Sequence, residues 1–495
     1  MLRLIIILLL ANVLSSLATA QVLDSSFGIN GIVKMPFEPN GGGSINSVTQ
    51  QQDGKIVALG GAFRVIRYHL NGIVDSSFAV NGRLVKNFDS GHSESANNIV
   101  VQPDNKIVIS GDLYVGSQDF AVARFNQDGT PDFSFNGTGD IIVDIYGHDA
   151  CNDAALQADG KIILCGSAKS TDSVVIMRLN TDGSLDTTFS NQRGIFTASY
   201  GIWSSALNAV IVKPDGKILA CGNVNNNSTD FLLVQLLPDG QLDSAFGNNG
   251  VVVTSNTGFG HDFALQHDGK IVIVGRDVAT GGHIVRYHPD GSIDNSFGTN
   301  GHVLITHSLG IPGPEQVEID NNGKIYAAGH ITTTGADPDE DMFLIRLNSD
   351  GTVDSDYAPD GIITQVTLYT ERTHGLLLQT DGRVLMAGYV NINAATRQLC
   401  MLRFWPFSLS VNSVAAENRM RVFPNPATDM LHLVIPGITQ EDCVYTIVNS
   451  TGQILQQGAV TSSKINIANI PKGMLIVQIT NRTSGFTTYT RFCKL

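Results

Sequence analysis

Seven times along this chain the residues Asp-Gly-Lys-Ile, or a close variant, open a run of apolar sequence. The starts are Asp53, Asp104, Asp159, Asp215, Asp268, Asn322 and Asp381, at spacings of 51, 55, 56, 53, 54 and 59 residues. A near-fixed period of this length means one supersecondary unit used repeatedly, each copy burying its apolar face on a neighbour. In the fifth copy FALQ (263–266) predicts a first strand, HDGK a hairpin turn and IVIVG (271–275) a fully apolar second strand. HIVRYH (283–288) is a third strand, PDGSIDNSFGTNG a structured turn and HVLIT (302–306) a fourth. Asp-Gly pairs supply the positive-φ positions that tight hairpins need. Four antiparallel strands per unit, repeated radially, predict an all-β chain whose main body is a seven-bladed β-propeller.

A solenoid also stacks repeats, and the two ends of the array decide against it. The third strand carries Arg67, Arg124, Arg178, Gln235, Arg286, Arg346 and Arg403. Eight residues after each of the first six stands an Asp: Asp75, Asp132, Asp186, Asp243, Asp294 and Asp354. Arg403 has no such Asp downstream, whereas Asp24, in the opening phrase LDSSFGINGIV, has no Arg upstream. Each end lacks what the other holds. Asp24 and Arg403 are therefore expected to close the ring, with residues 31–37 as the fourth strand of the seventh blade and no free sheet edge left. The aromatic column Phe27, Phe78, Phe135, Phe189, Phe246, Phe297 and Tyr357 is expected to fill space between blades. The glycine ending each second strand (Gly60, Gly111, Gly166, Gly222, Gly275, Gly329, Gly388) points to close backbone approach.

Residues 1–20 combine Arg3, an apolar run from Leu4 and Ala18-Thr19-Ala20, the pattern of a secretory signal peptide rather than a span of about 20 apolar residues. With 31 basic against 45 acidic side chains the formal charge is −14, which argues against nucleic acid or an anionic membrane as partner. Six cysteines show no CxxC spacing. Cys165 and Cys221 occupy equivalent apolar strand positions and predict buried core thiols, while Cys443 and Cys493 share the last domain and are candidates for a disulfide.

The repeated DGKI, third-strand Arg and LDxSFG…NG resemble the delta-60 repeat family of secreted bacterial proteins, from residue 23 to about 405. That resemblance implies an architecture and no established activity. After it, residues 406–419 read as a linker and 420–495 as a small C-terminal β-sandwich of alternating apolar positions. Pro424, Asn425, Pro426, Gly452, Gln453, Pro471 and Gly473 are similar to the pattern of the type IX secretion system type A sorting domain, with Leu475 where an aromatic is usual. The resemblance implies the type IX secretion machinery as a partner and a secreted or cell-surface location, beyond the signal peptide (1–20) and propeller (21–405).

Loops on one face of the predicted ring vary in length, and variable loops on a rigid scaffold commonly hold binding sites. One polar column stands on that face, seven residues before each DGKI start: Asn46, Asn97, Asn152, Asn208, His261, Glu315 and His374. These residues are the candidate binding ring at the channel mouth, for a polar ligand such as a glycan or peptide. His261, Glu315 and His374 are also types able to hold a divalent cation. An Asn at a strand entrance equally bonds its own loop or the next blade. Two functions are thus open: a non-enzymatic binding or adhesion propeller, or a channel-mouth metal-dependent hydrolase resembling six-bladed propeller lactonases. NTDGSLD and NQDGTPD look like calcium loops but vary at their first position, and are expected to be structured turns.

Overall fold

The computed structural model describes residues 23–37, 43–88, 93–168, 172–333, 339–358, 361–365, 370–393, 396–406, 421–423, 427–434, 443–449, 453–481 and 487–494. The signal-peptide residues 1–20, the linker 407–419, and Pro424, Asn425, Pro426 and Gly452 of the sorting pattern lie outside these. Two compact units result, Met1–Ser410 and Val411–Leu495. The described residues contain strands and turns and no α-helix.

The first unit contains seven four-stranded antiparallel sheets, six built from consecutive strands. In the seventh, the outer strand is Ile32–Met35, paired with Thr396–Phe404 from the far end of the unit. The inner strands are Ile45–Gln50, Glu94–Val101, Asp149–Leu156, Ser204–Val212, Phe259–Leu265, Gly310–Ile319 and Glu371–Leu378. Each lies against the inner strand of the next sheet, and the last lies against the first, so the ring is closed.

The apolar second strands explain why the sheets stack. Val57 and Leu59 face one gap and Ile56 and Ala58 the opposite gap, all fully buried, because successive side chains alternate between faces. Seven apolar clusters follow, one in each gap between neighbouring sheets. Cys165 and Cys221 are buried free thiols within two of them, as expected.

On the side of the DGKI turns, a repeated latch ties blade to blade. Arg67 Nε donates to Asp75 Oδ2 at 2.9 Å, and Arg124, Arg178, Arg286 and Arg346 bond Asp132, Asp186, Asp294 and Asp354 likewise at 2.7–2.9 Å. The same guanidinium reaches a backbone carbonyl of the following blade: Arg67 to Gln127, Arg124 to Thr181, Arg178 to Pro238. The repeat lysine bonds that same aspartate, as in Lys161 to Asp186 at 2.7 Å. Arg67 also stacks on Phe78, whose ring sits where a Cβ on Gly129 of the next blade would be, 2.8 Å away. That glycine has φ +90°, a conformation side chains resist. Phe135 and Phe189 lie in the same way against Gly183 and Gly240.

The chain ends complete this latch with its own parts. Arg403 Nε donates to Asp24 Oδ2 at 2.8 Å, Arg383 stands 3.2 Å from the same oxygen, and Arg403 reaches Leu70 O in the first blade. Arg403 and Asp24 are each 1% exposed.

Several expected strand limits shift by one to four residues: the opening strand is Ile32–Met35, and in the fifth blade the second and third strands are Ile271–Asp277 and Gly281–Tyr287. The fifth inner strand begins at Phe259 rather than at residue 263, because a β-bulge at His261 absorbs an extra residue and lets pairing continue.

The second unit holds a three-stranded sheet, Arg421–Phe423, Met430–Val434 and Lys464–Asn466. Its other sheet has the order Ile454–Ala459, Cys443–Val448, Gly473–Asn481, Thr487–Lys494. Leu431, Leu433, Ile447, Val477 and Phe492 share one core. Register overturns the Cys443–Cys493 candidate pair. Cys443 stands opposite Asn481 and Cys493 opposite Met474, at the two ends of one strand. Seven residues of strand separate them, roughly 23 Å at about 3.3 Å per residue. A disulfide needs Cα atoms within about 7 Å.

Candidate functional site

The seven ring candidates share a backbone feature that no spacing reveals: each is the extra residue of a β-bulge. Pairing of inner and second strands jumps from Ile45 to Ser47, Ala96 to Asn98, Cys151 to Asp153, Leu207 to Ala209, Gly260 to Asp262, Pro314 to Gln316 and Thr373 to Gly375. A bulge leaves its residue outside the ladder and re-aims the side chain. It also explains the second-strand glycines. A Cβ at Gly111, Gly222 or Gly275 would stand 2.0 Å from the carbonyl oxygen of Ser95, Ala206 or Phe259, two residues before the bulge.

Six of the seven, all but Glu315, line a central cavity of about 460 Å³ to which every inner strand contributes. Four of them form a relay. Asn46 Nδ2 donates to Ala96 O (2.8 Å), Asn97 to Cys151 O (2.8 Å), Asn152 to Leu207 O (2.7 Å) and Asn208 to Gly260 O (2.6 Å). Each acceptor belongs to the residue just before the next bulge. The asparagines therefore staple neighbouring blades, and the same residues line the cavity wall.

In blades five to seven the asparagine is replaced by His261, Glu315 and His374 and the relay stops, and Glu315 as a carboxylate has no proton to donate at neutral pH. Glu315 Oε2 lies 3.1 Å from His374 Nδ1, and its Oε1 lies 3.1 Å from His330 Nδ1. Burial opposes ionisation of Glu315, yet the contacts from His330 and His374 outweigh it and hold its carboxyl well below the usual range. His330 Nε2 is 2.9 Å from Arg276 Nη1, whose Nη2 donates to Thr332 Oγ1 at 3.0 Å. Arg372 pairs with Glu340, which also lies 3.8 Å from His330. Burial lowers the His261 pKa and favours its neutral form.

His330 and Arg276 were not singled out from sequence, though a signal existed. The residue after each second-strand glycine is Gly61, Asp112, Ser167, Asn223, Arg276, His330 and Tyr389. Several face a bulge residue across the strands: Asn97 reaches Asp112 (3.3 Å), Asn208 reaches Asn223 (3.2 Å), and His374 lies 5.8 Å from the Tyr389 ring.

Below the ring the cavity turns acidic. Asp153 accepts from Asn98 Nδ2 and from Val210 N (2.7 Å), and Asp262 from Val317 N (2.9 Å), each linking blades. Burial pushes Asp153 up to about 7 and Asp262 to about 6. Burial, with the Asp262 charge behind it, pushes Glu318 to about 8.

The expected metal trio does not assemble. Among the described residues, the set of three whose ligand atoms all lie within 4.8 Å of one another is Asp119, Asp144 and Asp149, not His261, Glu315 and His374. Glu315 is instead taken up by His330 and His374. The calcium-like loops are turns: Asp182 Oδ1 accepts from Ser184 N (3.0 Å) and Oγ (2.6 Å), and Asp128 holds Thr130 alike.

Comparison with known proteins follows the same division of the chain. Six segments, 51–78, 102–135, 157–189, 213–246, 266–297 and 321–357, match a domain of unknown function (DUF5122) beta-propeller, and residues 421–492 match a secretion system C-terminal sorting domain. A search of curated proteins found no match. Among solved structures, PorZ, an essential surface component of the type-IX secretion system of Porphyromonas gingivalis, is 15% identical over 94% of this chain and 60% of its own, with a TM-score of 0.42. The extracellular domain of a putative hybrid two component system of B. thetaiotaomicron is 12% identical over 94% and 58%, TM-score 0.42. A Dyadobacter fermentans protein of unknown function is 13% identical over 76% and 99%, TM-score 0.40. The chain thus spans about three fifths of the length of the first two.

Proposed function

We propose that this chain, which carries DUF5122 propeller repeats and a secretion system C-terminal sorting domain, is a non-enzymatic binding module that holds a polar ligand at its central cavity. The sorting domain makes it an exported protein, secreted or held at the cell surface. The observation that carries the binding reading is that one polar residue in every blade is a bulge residue, and six of these seven line that cavity. Stapling alone would be served by asparagine seven times. Blades five and seven instead place His261 and His374 on the cavity wall, with Glu318 deeper in. Amides, imidazoles and carboxyls together suit a polar ligand rich in hydroxyl or amine groups, such as a glycan or a peptide terminus. Its contact with the type IX secretion machinery runs through residues 420–495, and the leader 1–20 delivers it to the export route.

The full chain, without its leader, is to be tested on glycan and peptide arrays, beside His261→Ala. Capture of a defined ligand class that falls at least tenfold in the variant supports the reading. No captured ligand, or equal capture by the variant, rejects it.

A further inference from the structure

A second polar cluster lies away from the cavity, where the second blade passes into the third. Asp119 is in the third strand of blade two (Ser117–Phe125), Asp144 follows its outer strand (Asp140–Val143), and Asp149 opens the inner strand of blade three (Asp149–Leu156). Their three ligand oxygens lie within 4.8 Å of one another. Asp149 is fully buried and Asp119 is 7% exposed, so two carboxylates are withdrawn from water beside a third. Burying like charges without a counter-charge is costly. Yet the bonds that the three accept come from uncharged groups: Ile145 N and Tyr146 N to Asp149 Oδ2, Ser117 Oγ to Asp119 Oδ1, and Gly147 N to Asp144 Oδ1. Among the described residues, the remaining oxygen of Asp149, Oδ1, is buried without a hydrogen-bond partner.

We propose that Asp119, Asp144 and Asp149 form a calcium site that clamps the connection between the second and third blades. The donor set is all oxygen, with no imidazole or thiolate, which suits a hard cation rather than zinc or copper. Calcium takes oxygens at about 2.3–2.6 Å, so two ligands of one ion lie up to about 5 Å apart, the span found here. Magnesium asks for a tighter octahedron and keeps more of its water. An ion here supplies the missing positive charge and ties the exposed turn 144–148 to two strands. The site is separate from the cavity ring and does not depend on the binding function.

The test is a calorimetric titration of the full chain, freed of metal with EDTA, using CaCl2 and then MgCl2, with melting curves at each addition. Saturable calcium binding, at least tenfold weaker for magnesium, and a calcium-dependent rise in melting temperature are expected. Asp144→Ala alters an exposed side chain and is expected to weaken calcium at least tenfold. Asp149→Asn is expected to abolish the calcium shift. Absence of binding in the parent chain, or undiminished calcium affinity in Asp144→Ala, overturns the proposal even if Asp149→Asn fails to fold.

Discussion

Individual carboxyls in this protein fall into two classes with opposite pH behaviour. In the latch, burial works against ionisation of Asp75, but bonds from Ser77 and the charge of Arg67 prevail and depress its pKa. Asp132, Asp186 and Asp294 are held down similarly. Their stabilisation is present above the unfolded value of about 4 and is lost as pH falls through the lower folded value. Asp262, Asp153 and Glu318 are raised, to about 6, 7 and 8, so their contribution is complete below about 4 and is lost as pH rises through those values. The melting temperature is therefore expected to peak in mildly acidic solution, near pH 5, and to fall toward pH 8. Glu318→Gln, which keeps the shape and removes the charge, should raise the melting temperature at pH 8 by on the order of 2 °C and shift it much less at pH 5. An unaltered alkaline limb in scanning calorimetry would exclude Glu318 as its source.

At the level of the strand, bulge and glycine form one device. The bulge frees a side chain for the cavity, and the carbonyl two residues earlier then occupies the space over the second strand. A glycine there is a steric requirement, not a matter of backbone angle: Gly222 has an ordinary φ, yet a methyl on it would meet Ala206 O at 2.0 Å. Gly222→Ala is expected to cost about 1–3 kcal/mol through strain, read as a lower urea midpoint with unchanged slope. The same substitution at Gly61, where no atom of the described residues lies within 4 Å of the added Cβ, is the matched control and should be near neutral.

For the whole molecule, closure is the organising constraint. Five Arg–Asp latches, and the bond from Gln235 Nε2 to Asp243 Oδ2, join residues eight apart in sequence, whereas Arg403 and Asp24 join residues 379 apart and fasten the outer strand Ile32–Met35 to the last blade. Removing one member of a buried pair costs about 3–5 kcal/mol, so Arg403→Ala and Arg286→Ala should weaken the fold by comparable amounts. They should differ in where the structure opens. Hydrogen exchange at residues 32–35 is expected to accelerate in Arg403→Ala and to stay slow in Arg286→Ala. Equal exchange in both would show that the ring does not depend on this latch for closure.

What the sequence determined by itself is whatever recurs seven times. The count of units, the Arg and Asp columns, the aromatic wedge and the displaced opening strand were legible because each copy repeats the same local chemistry. The sorting pattern was legible from separated short motifs, although Pro424, Asn425, Pro426 and Gly452 lie outside the described residues. The polar column from Asn46 to His374 was also readable, but its role was not, because a bulge depends on pairing between strands and leaves no mark in spacing. Only the tertiary structure decided that four asparagines bridge blades and that Glu315 turns to His330 and His374 rather than joining His261. It alone brought together Asp119, Asp144 and Asp149. Proximity across a blade junction is set by how the sheets stack, not by distance along the chain.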